Sequence, residues 1–367
     1  MTQFDNIYGG ARVLITGHTG FKGSWLTAWL SQLGADIHGY SLGLLDSPSH
    51  FETGGFGDFV ASTFADIRDF DAISKVVSDF QPDFVFHLAA QAIVAESYIS
   101  PLETLQTNTI GTANLLEALR SSNHDCSAVI VTSDKCYENQ EWAWGYRETD
   151  RLGGADPYSA SKAAAELMVA TFHQSFFSKA DSNVKIASGR AGNVIGGGDW
   201  AANRIIPDAV RAITRHENIS IRSPRSTRPW QHALEPLSGY LRIGQCIKCT
   251  PETIAGEAYN FGPSADEDHD VESLLLELLK HWPQDYDPVQ ISTISNFKEQ
   301  GLLKLSCDKA KSVLGWSPTL GFSEGVRFTA NWYQQFEEGK AVSDITKSQI
   351  NKYLEAANGN CASWIEG

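Results

Sequence analysis

The chain reads as an α/β protein: a Rossmann-type, doubly wound parallel sheet with a smaller C-terminal substrate-binding domain. Three observations predict it. Short apolar runs alternate with stretches of helical periodicity through the first half of the sequence. A glycine-spaced turn follows the first apolar run. The alternation loosens after about residue 190, where Gly- and Trp-rich segments replace it.

The elements follow in order. Arg12-Val13-Leu14-Ile15-Thr16 is a buried strand, and Phe21 to Leu33 has helical spacing. Asp36 to Tyr40, Val60 to Phe64, Phe84 to Leu88, Ala128 to Thr132 and Val184 to Ser188 read as five further strands. Phe70 to Phe80, a stretch ending at Asn114 to Ser121, and Tyr158 to Phe177 read as the helices between them. Strands alternating with helices imply right-handed crossovers and a parallel sheet. The expected division is 1–189 for the dinucleotide-binding domain and 190–367 mainly for substrate, with 229–262 returning to the sheet through Tyr259-Asn260-Phe261. The stretches 339–352 and 364–367 are polar and show no usable pattern.

Composition bounds the function. At 367 residues, with 42% hydrophobic and 20% charged residues, the chain can build a core without staples. A net charge of -15 argues against nucleic acid as a partner. It leaves room for a nucleotide, whose diphosphate a few arginines can hold. No apolar stretch is long enough for a membrane helix, and the first residues lack a signal-peptide pattern. Six scattered cysteines fit a reducing cytoplasm. Cys246 and Cys249 form a lone CxxC on an amphipathic helix, which reads as packing, and no metal is expected.

The glycine turn carries the first chemistry. Gly17-His18-Thr19-Gly20-Phe21-Lys22-Gly23 lies between a strand end and a helix start. Glycines there allow a tight turn and close approach of backbone to a pyrophosphate, which the helix N-terminus attracts. The second strand lacks the acidic residue that often grips the ribose. Ser41 is the nearest substitute, and no Arg is present for a 2′-phosphate, so NAD is favoured over NADP. Asp66, with Ile67, either holds the adenine or caps the next helix.

Tyr158-Ser159-Ala160-Ser161-Lys162 places a phenol and an ammonium on one helix face. The ammonium should lower the phenol from its usual value of about 10, making it an acceptor for a hydroxyl proton. Lys162 is also within reach of a nicotinamide ribose.

Together these motifs resemble the extended short-chain dehydrogenase/reductase family over roughly residues 11 to 262. Leu88, Ala89, Ala90 and Gln91 are similar to its cofactor-lining strand end, Asn108 to its helix motif, and Arg190 to Gly196 to its sugar-site segment. The resemblance implies a nucleotide-sugar substrate and a homodimer or homotetramer, built through the helices holding Asn108 and Tyr158.

Within that family, Ser133-Asp134-Lys135 distinguishes a 4,6-dehydratase from an epimerase. Oxidation at C4 of a hexose acidifies the C5 hydrogen. A base must then remove it while an acid protonates the departing C6 hydroxyl. Dehydratases of the family commonly carry Asp-Glu after the Ser, whereas this chain has Asp134-Lys135. Asp134 as acid and Lys135 as base is one reading; a surface ion pair at a strand end is the other. For Lys135 to act it must shed its charge, which burial and a nearby cation would favour. Taken with the Gly196-Gly197-Gly198-Asp199-Trp200 and Arg228-Pro229-Trp230 segments, the resemblance implies CDP-glucose as substrate. Asn193 and Arg228 are then diphosphate or sugar ligands. Arg204 and Arg222 are ligands or solvated charges, and Trp200 and Trp230 either stack on the base or pack in loops.

Overall fold

The computed structural model describes residues 1–44, 48–221, 223–264, 267–282, 289–291 and 301–366. Seven strands form one sheet: β1 (Arg12–Thr16), β2 (Asp36–Ser41), β3 (Ala61–Phe64), β4 (Phe84–His87), β5 (Cys126–Val131), β6 (Val184–Ala191) and β7 (Ala258–Phe261). Their order is β7-β6-β5-β4-β1-β2-β3, and every pairing is parallel. The order reverses between β1 and β4. That is the switch point at which open α/β sheets bind ligands, outside the strand C-termini.

Side chains alternate across this sheet. Val13, Ile15, Phe84, Phe86, Val129 and Val131 join one core cluster, while Leu14, Val85, Ala128 and Ile130 join the other. Both faces are therefore apolar, and each must be covered by helices. α1 (Phe21–Gln32) covers the first face with Trp25 and Trp29, together with α2 (Leu234–Cys249). α3 (Phe70–Phe80) and α4 (Gly111–Ser121) cover the second. The Tyr158 helix, α5 (Pro157–Phe172), also lies on this second side, and a π-turn at His173–Phe177 ends it.

The polar stretch near 339–352 is not featureless. From residue 342 on it belongs to α6 (Val342–Gly359), which buries Ile345, Ile350, Tyr353 and Leu354. Its buried face includes Thr346 and Gln349 beside the apolar residues, so mean polarity hides it. The tail also has structure: Ile365–Glu366 pairs with Thr2–Gln3, and Trp364 stacks on Phe4. No helix among the described residues is long and apolar enough to cross a membrane.

Candidate active site

A cleft of ≈ 820 Å³ runs across the C-terminal ends of the strands. One end is the glycine turn. Gly17 has φ +75°, and a Cβ there would sit 2.7 Å from the Ala89 nitrogen. A Cβ on Gly23 would sit 2.0 Å from the Gly17 carbonyl oxygen. Glycine is thus required at both positions to bring α1 against the end of β1. Gly20 stands at the N-cap of α1 and supplies no side-chain cap. The residues of this uncapped turn line the cleft, and a helix N-terminus of this kind attracts an anion. Gly20, Phe21 and Lys22 line the same end, with Ser41, Asp66, Ile67, Leu88, Ala89, Ala90 and Gln91.

Several of these side chains have local partners. Ser41 Oγ bonds His18 Nδ1 at 2.9 Å, and burial lowers His18 to about 4, so the ring is neutral. Asp66 is not a helix cap. Asp69 fills that role by accepting from the Ala72 N–H at 3.0 Å, while Asp66 pairs with Arg68. Asn108 is expected among the cofactor-lining residues, and the structure corrects this. Its amide is used up by the backbone N–H and C=O of Gln91 and by Ser161 Oγ, at 2.8–3.0 Å. It braces the β4 end against α5 from behind.

The middle of the cleft holds Ser133, Asp134, Lys135 and Tyr158. They meet because β5 ends where α5 begins to pack beside it. Asp156 caps α5 through the Ser159 N–H at 2.9 Å, and Pro157 follows at N1. Ser133 Oγ donates to Asp134 Oδ1 at 2.9 Å, and Ser133 is also hydrogen-bonded to the Tyr158 hydroxyl. Asp134 is 1% exposed, and its Oδ2 has no hydrogen-bond partner among the described residues. Lys135 Nζ lies 3.8 Å from Asp134 Oδ1.

Two electrostatic expectations are corrected here. The Tyr158 phenol is raised to about 12, not lowered: burial dominates and Asp134 adds to it, outweighing the Ser133 hydrogen bond and Arg204. Lys162 is not among the largest contributors to that shift. Lys135 is not sealed away; its side chain keeps 21% exposure beside a carboxylate. The buried ammonium is Lys162, below the cleft surface. Desolvation lowers it to about 8 against the opposing charge of Glu166. Lys22 is likewise lowered to about 7 by burial, then by Lys162 and Arg204.

Asn193, Arg204, Arg228 and Trp230 line the far end. Arg204 pairs with Asp199 at 3.0 Å, and Trp230 Nε1 donates to the His269 carbonyl at 3.0 Å. Of the two readings of Trp200, the structure has the packing one: it lies outside the cleft lining, against Trp332, Tyr333 and Phe336 of α7 (Phe322–Glu337). Arg222 lies outside the described residues. Sequence reasoning missed the buried Glu166–Arg190 pair, at 2.8 Å. Its one signal was Glu166 falling four residues after Lys162. Among the described residues, no cluster of His, Cys, Asp or Glu is placed to hold a metal.

A glycine turn at the sheet switch point, with a Tyr-Lys helix facing it, defines an enzyme of the extended short-chain dehydrogenase/reductase class. The GDP-mannose 4,6 dehydratase family model matches residues 14–329, and the chain belongs to that family. The chain is 43% identical to the CDP-glucose 4,6-dehydratase of Salmonella typhimurium, over 96% of this chain and 98% of that one. It is 25% identical to a dTDP-glucose 4,6-dehydratase of Xanthomonas campestris, over 73% of this chain and 77% of that one. Among solved structures, UDP-glucose 4-epimerase from Thermotoga maritima superposes with a TM-score of 0.77 at 22% identity, covering 89% of this chain and 99% of that one. A dTDP-glucose 4,6-dehydratase from Streptomyces venezuelae, with NAD bound, gives 0.75 at 21% identity, covering 88% and 97%.

Proposed function

We propose that this 4,6-dehydratase acts on CDP-glucose, giving CDP-4-dehydro-6-deoxy-glucose and water. The carrying observation is the Ser133-Asp134-Lys135 turn, which places a buried carboxyl oxygen without a partner next to an ammonium in the cleft. The 43% identity to a CDP-glucose enzyme across nearly the whole chain supports the nucleotide.

The near end fits NAD: the uncapped α1 N-terminus would hold its diphosphate and Tyr158 and Lys162 its ribose, and the cofactor would supply the acceptor for the C4 hydride and its return to C6. The protein's own part is proton handling. Tyr158 Oη accepts the C4 hydroxyl proton in its phenolate form, which burial opposes and which the positive charges of Lys162 and a bound nicotinamide would favour. Lys135 Nζ removes the proton from C5 and returns a solvent-exchanged proton there when the hydride adds at C6. Asp134 Oδ2 delivers a proton to the C6 oxygen, which leaves as water. The 3.8 Å contact prepares the last two steps. Moving one proton from Lys135 to Asp134 turns an ion pair into a neutral base and a neutral acid, with no change in net charge. Arg228, Arg204 and Asn193 hold the substrate diphosphate and sugar, and Trp230 borders the base.

Exposed Ile99, Leu102, Ile110 and Leu167 on neighbouring helices support a homodimer. The six unbridged cysteines suit a reducing cytoplasm.

The test is a panel of CDP-, UDP-, GDP- and dTDP-glucose assayed for 4-keto product by absorbance in alkali. CDP-glucose should be turned over fastest, with solvent deuterium appearing at C5 in heavy water. Equal or faster turnover of another nucleotide would refute the CDP assignment. A C4-inverted product without deuterium would instead mark an epimerase.

A further inference from the structure

The catalytic turn hangs between two pins, and both are fastened to one buried ion pair. Glu166 lies on α5, four residues after Lys162 and therefore on the same face. Its side chain is 3% exposed and that of its partner Arg190 is 4% exposed. Glu166 accepts from the Thr132 hydroxyl, from Ser188 Oγ at 2.9 Å and from Arg190 Nη2 at 2.8 Å. Thr132 is the residue immediately before Ser133. Arg190 Nη1 donates to the Tyr137 hydroxyl at 2.8 Å and to the Glu148 carbonyl at 3.1 Å, and the guanidinium lies over the Tyr137 ring. Tyr137 follows the turn formed by Asp134–Cys136, and its hydroxyl donates to Asn260 Oδ1 at 2.7 Å. Residues 133–136 are thus held at one end through Thr132 and at the other through Tyr137.

We infer that Glu166 is a positioning residue for the dehydration step: through Arg190, Thr132 and Lys162 it holds Ser133, Asp134 and Lys135 in register with Tyr158.

Its surroundings keep it charged for that task. Burial raises its pKa, but the Arg190 charge and hydrogen bond, with Thr132 and Ser188, bring it below the ordinary value. The same charge opposes desolvation of Lys162. The groups facing Lys162 are Lys22 on α1, His87 on β4, Cys136 after β5 and Glu166 on its own helix. Glu166 is the sole carboxylate among them, so its removal leaves the Lys162 ammonium in cationic or neutral company.

This role rests on the 4,6-dehydratase reading, which wild-type turnover tests separately; only variant-to-wild-type ratios bear on Glu166. The experiment compares wild type, Glu166→Gln and Glu166→Asp in steady-state turnover of CDP-glucose from pH 6 to 10, with saturating NAD. In Glu166→Gln, kcat should fall on the order of 100-fold with KM within threefold, as displacement of reacting groups by about 1 Å predicts. The alkaline limb of kcat should move down by about one pH unit, because a lost carboxylate eases proton loss from Lys162. Glu166→Asp keeps the charge, so it should hold the limb in place while kcat stays low. Should Glu166→Gln fail to fold with Arg190 left unmatched, Thr132→Val serves, removing one pin and no charge. It should lower kcat about tenfold without moving the limb, the loss of one hydrogen bond. A folded Glu166→Gln enzyme with unchanged kcat and pH profile, differing from wild type only in melting temperature, would overturn the inference. So would a Thr132→Val enzyme with wild-type kcat.

Discussion

Replacing Gly23 with Ala tests whether the contact between α1 and β1 builds the cofactor end of the cleft. The added Cβ would lie 2.0 Å from the Gly17 carbonyl oxygen, 2.8 Å from the Gly17 carbonyl carbon and 2.9 Å from the His18 Cα. All three atoms are backbone, so no side chain can swing aside. Real Cβ contacts stay beyond 3.0 Å, and the start of α1 must retreat by about 1 Å to restore that distance. Overpacking of this kind costs about 1–3 kcal/mol. Alanine returns up to about 1 kcal/mol through its higher helix propensity. Net destabilisation should therefore be about 0–3 kcal/mol by urea titration. The larger effect falls on NAD, whose diphosphate loses alignment with the helix N–H groups. One charge-assisted hydrogen bond is worth about 1.5–3 kcal/mol, so the Kd for NAD by calorimetry should weaken about 10- to 100-fold. Gly20→Ala is the control for the fold. Its Cβ would meet only the Gly17 oxygen, at an ordinary 3.4 Å, and φ is -71°. Its stability should change by less than about 1 kcal/mol. Wild-type NAD affinity in folded Gly23→Ala would refute the argument that this close approach shapes the site.

Other outcomes follow from the same geometry. Tyr158→Phe should cut kcat ~10²–10⁴-fold, yet NAD should still raise its melting temperature; near-normal turnover would remove Tyr158 from the chemistry. Glu235 on α2 is raised to about 7 by burial, against the N–H groups of Thr319 and Leu320 that it accepts from. The unfolded chain ionises the same carboxyl near pH 4, so stability should fall by about 3 kcal/mol as pH rises from about 4 through about 7, then level off. Glu235→Gln should flatten that slope in urea titrations at pH 5, 6, 7 and 8, and an unchanged slope would contradict the assignment. Trp200→Leu should lower unfolding free energy by about 1–3 kcal/mol, as loss of an aromatic packing partner does. Its KM for CDP-glucose should stay within about twofold; a tenfold rise would return Trp200 to the substrate site.

The legible part of this protein is local in sequence. Strand and helix alternation, the Gly17-Gly20-Gly23 turn and the Tyr158-Lys162 pair each depend on spacing along a single element or across one strand–helix junction. Periodicities of two and 3.6 residues convert such spacing directly into faces. The Ser133-Asp134-Lys135 turn was readable for the same reason, as the end of a recognisable strand.

What escaped reading depends on which distant residues pack together. Asn108 and Trp200 have chemistry suited to a ligand, but one is consumed by Gln91 and Ser161 and the other by α7. The neighbouring Lys162 suggested a lowered phenol for Tyr158, yet enclosure by the sheet and helices raises it instead. The desolvated lysines are Lys22 and Lys162, while Lys135 stays partly open. Thr132 just past β5, Glu166 on α5, and Ser188 and Arg190 on β6 become one network only when those elements close on each other. Spacing names the groups that can react. Their charge state is a balance between desolvation and partner charges, and both are set by neighbours that only the folded chain brings within reach.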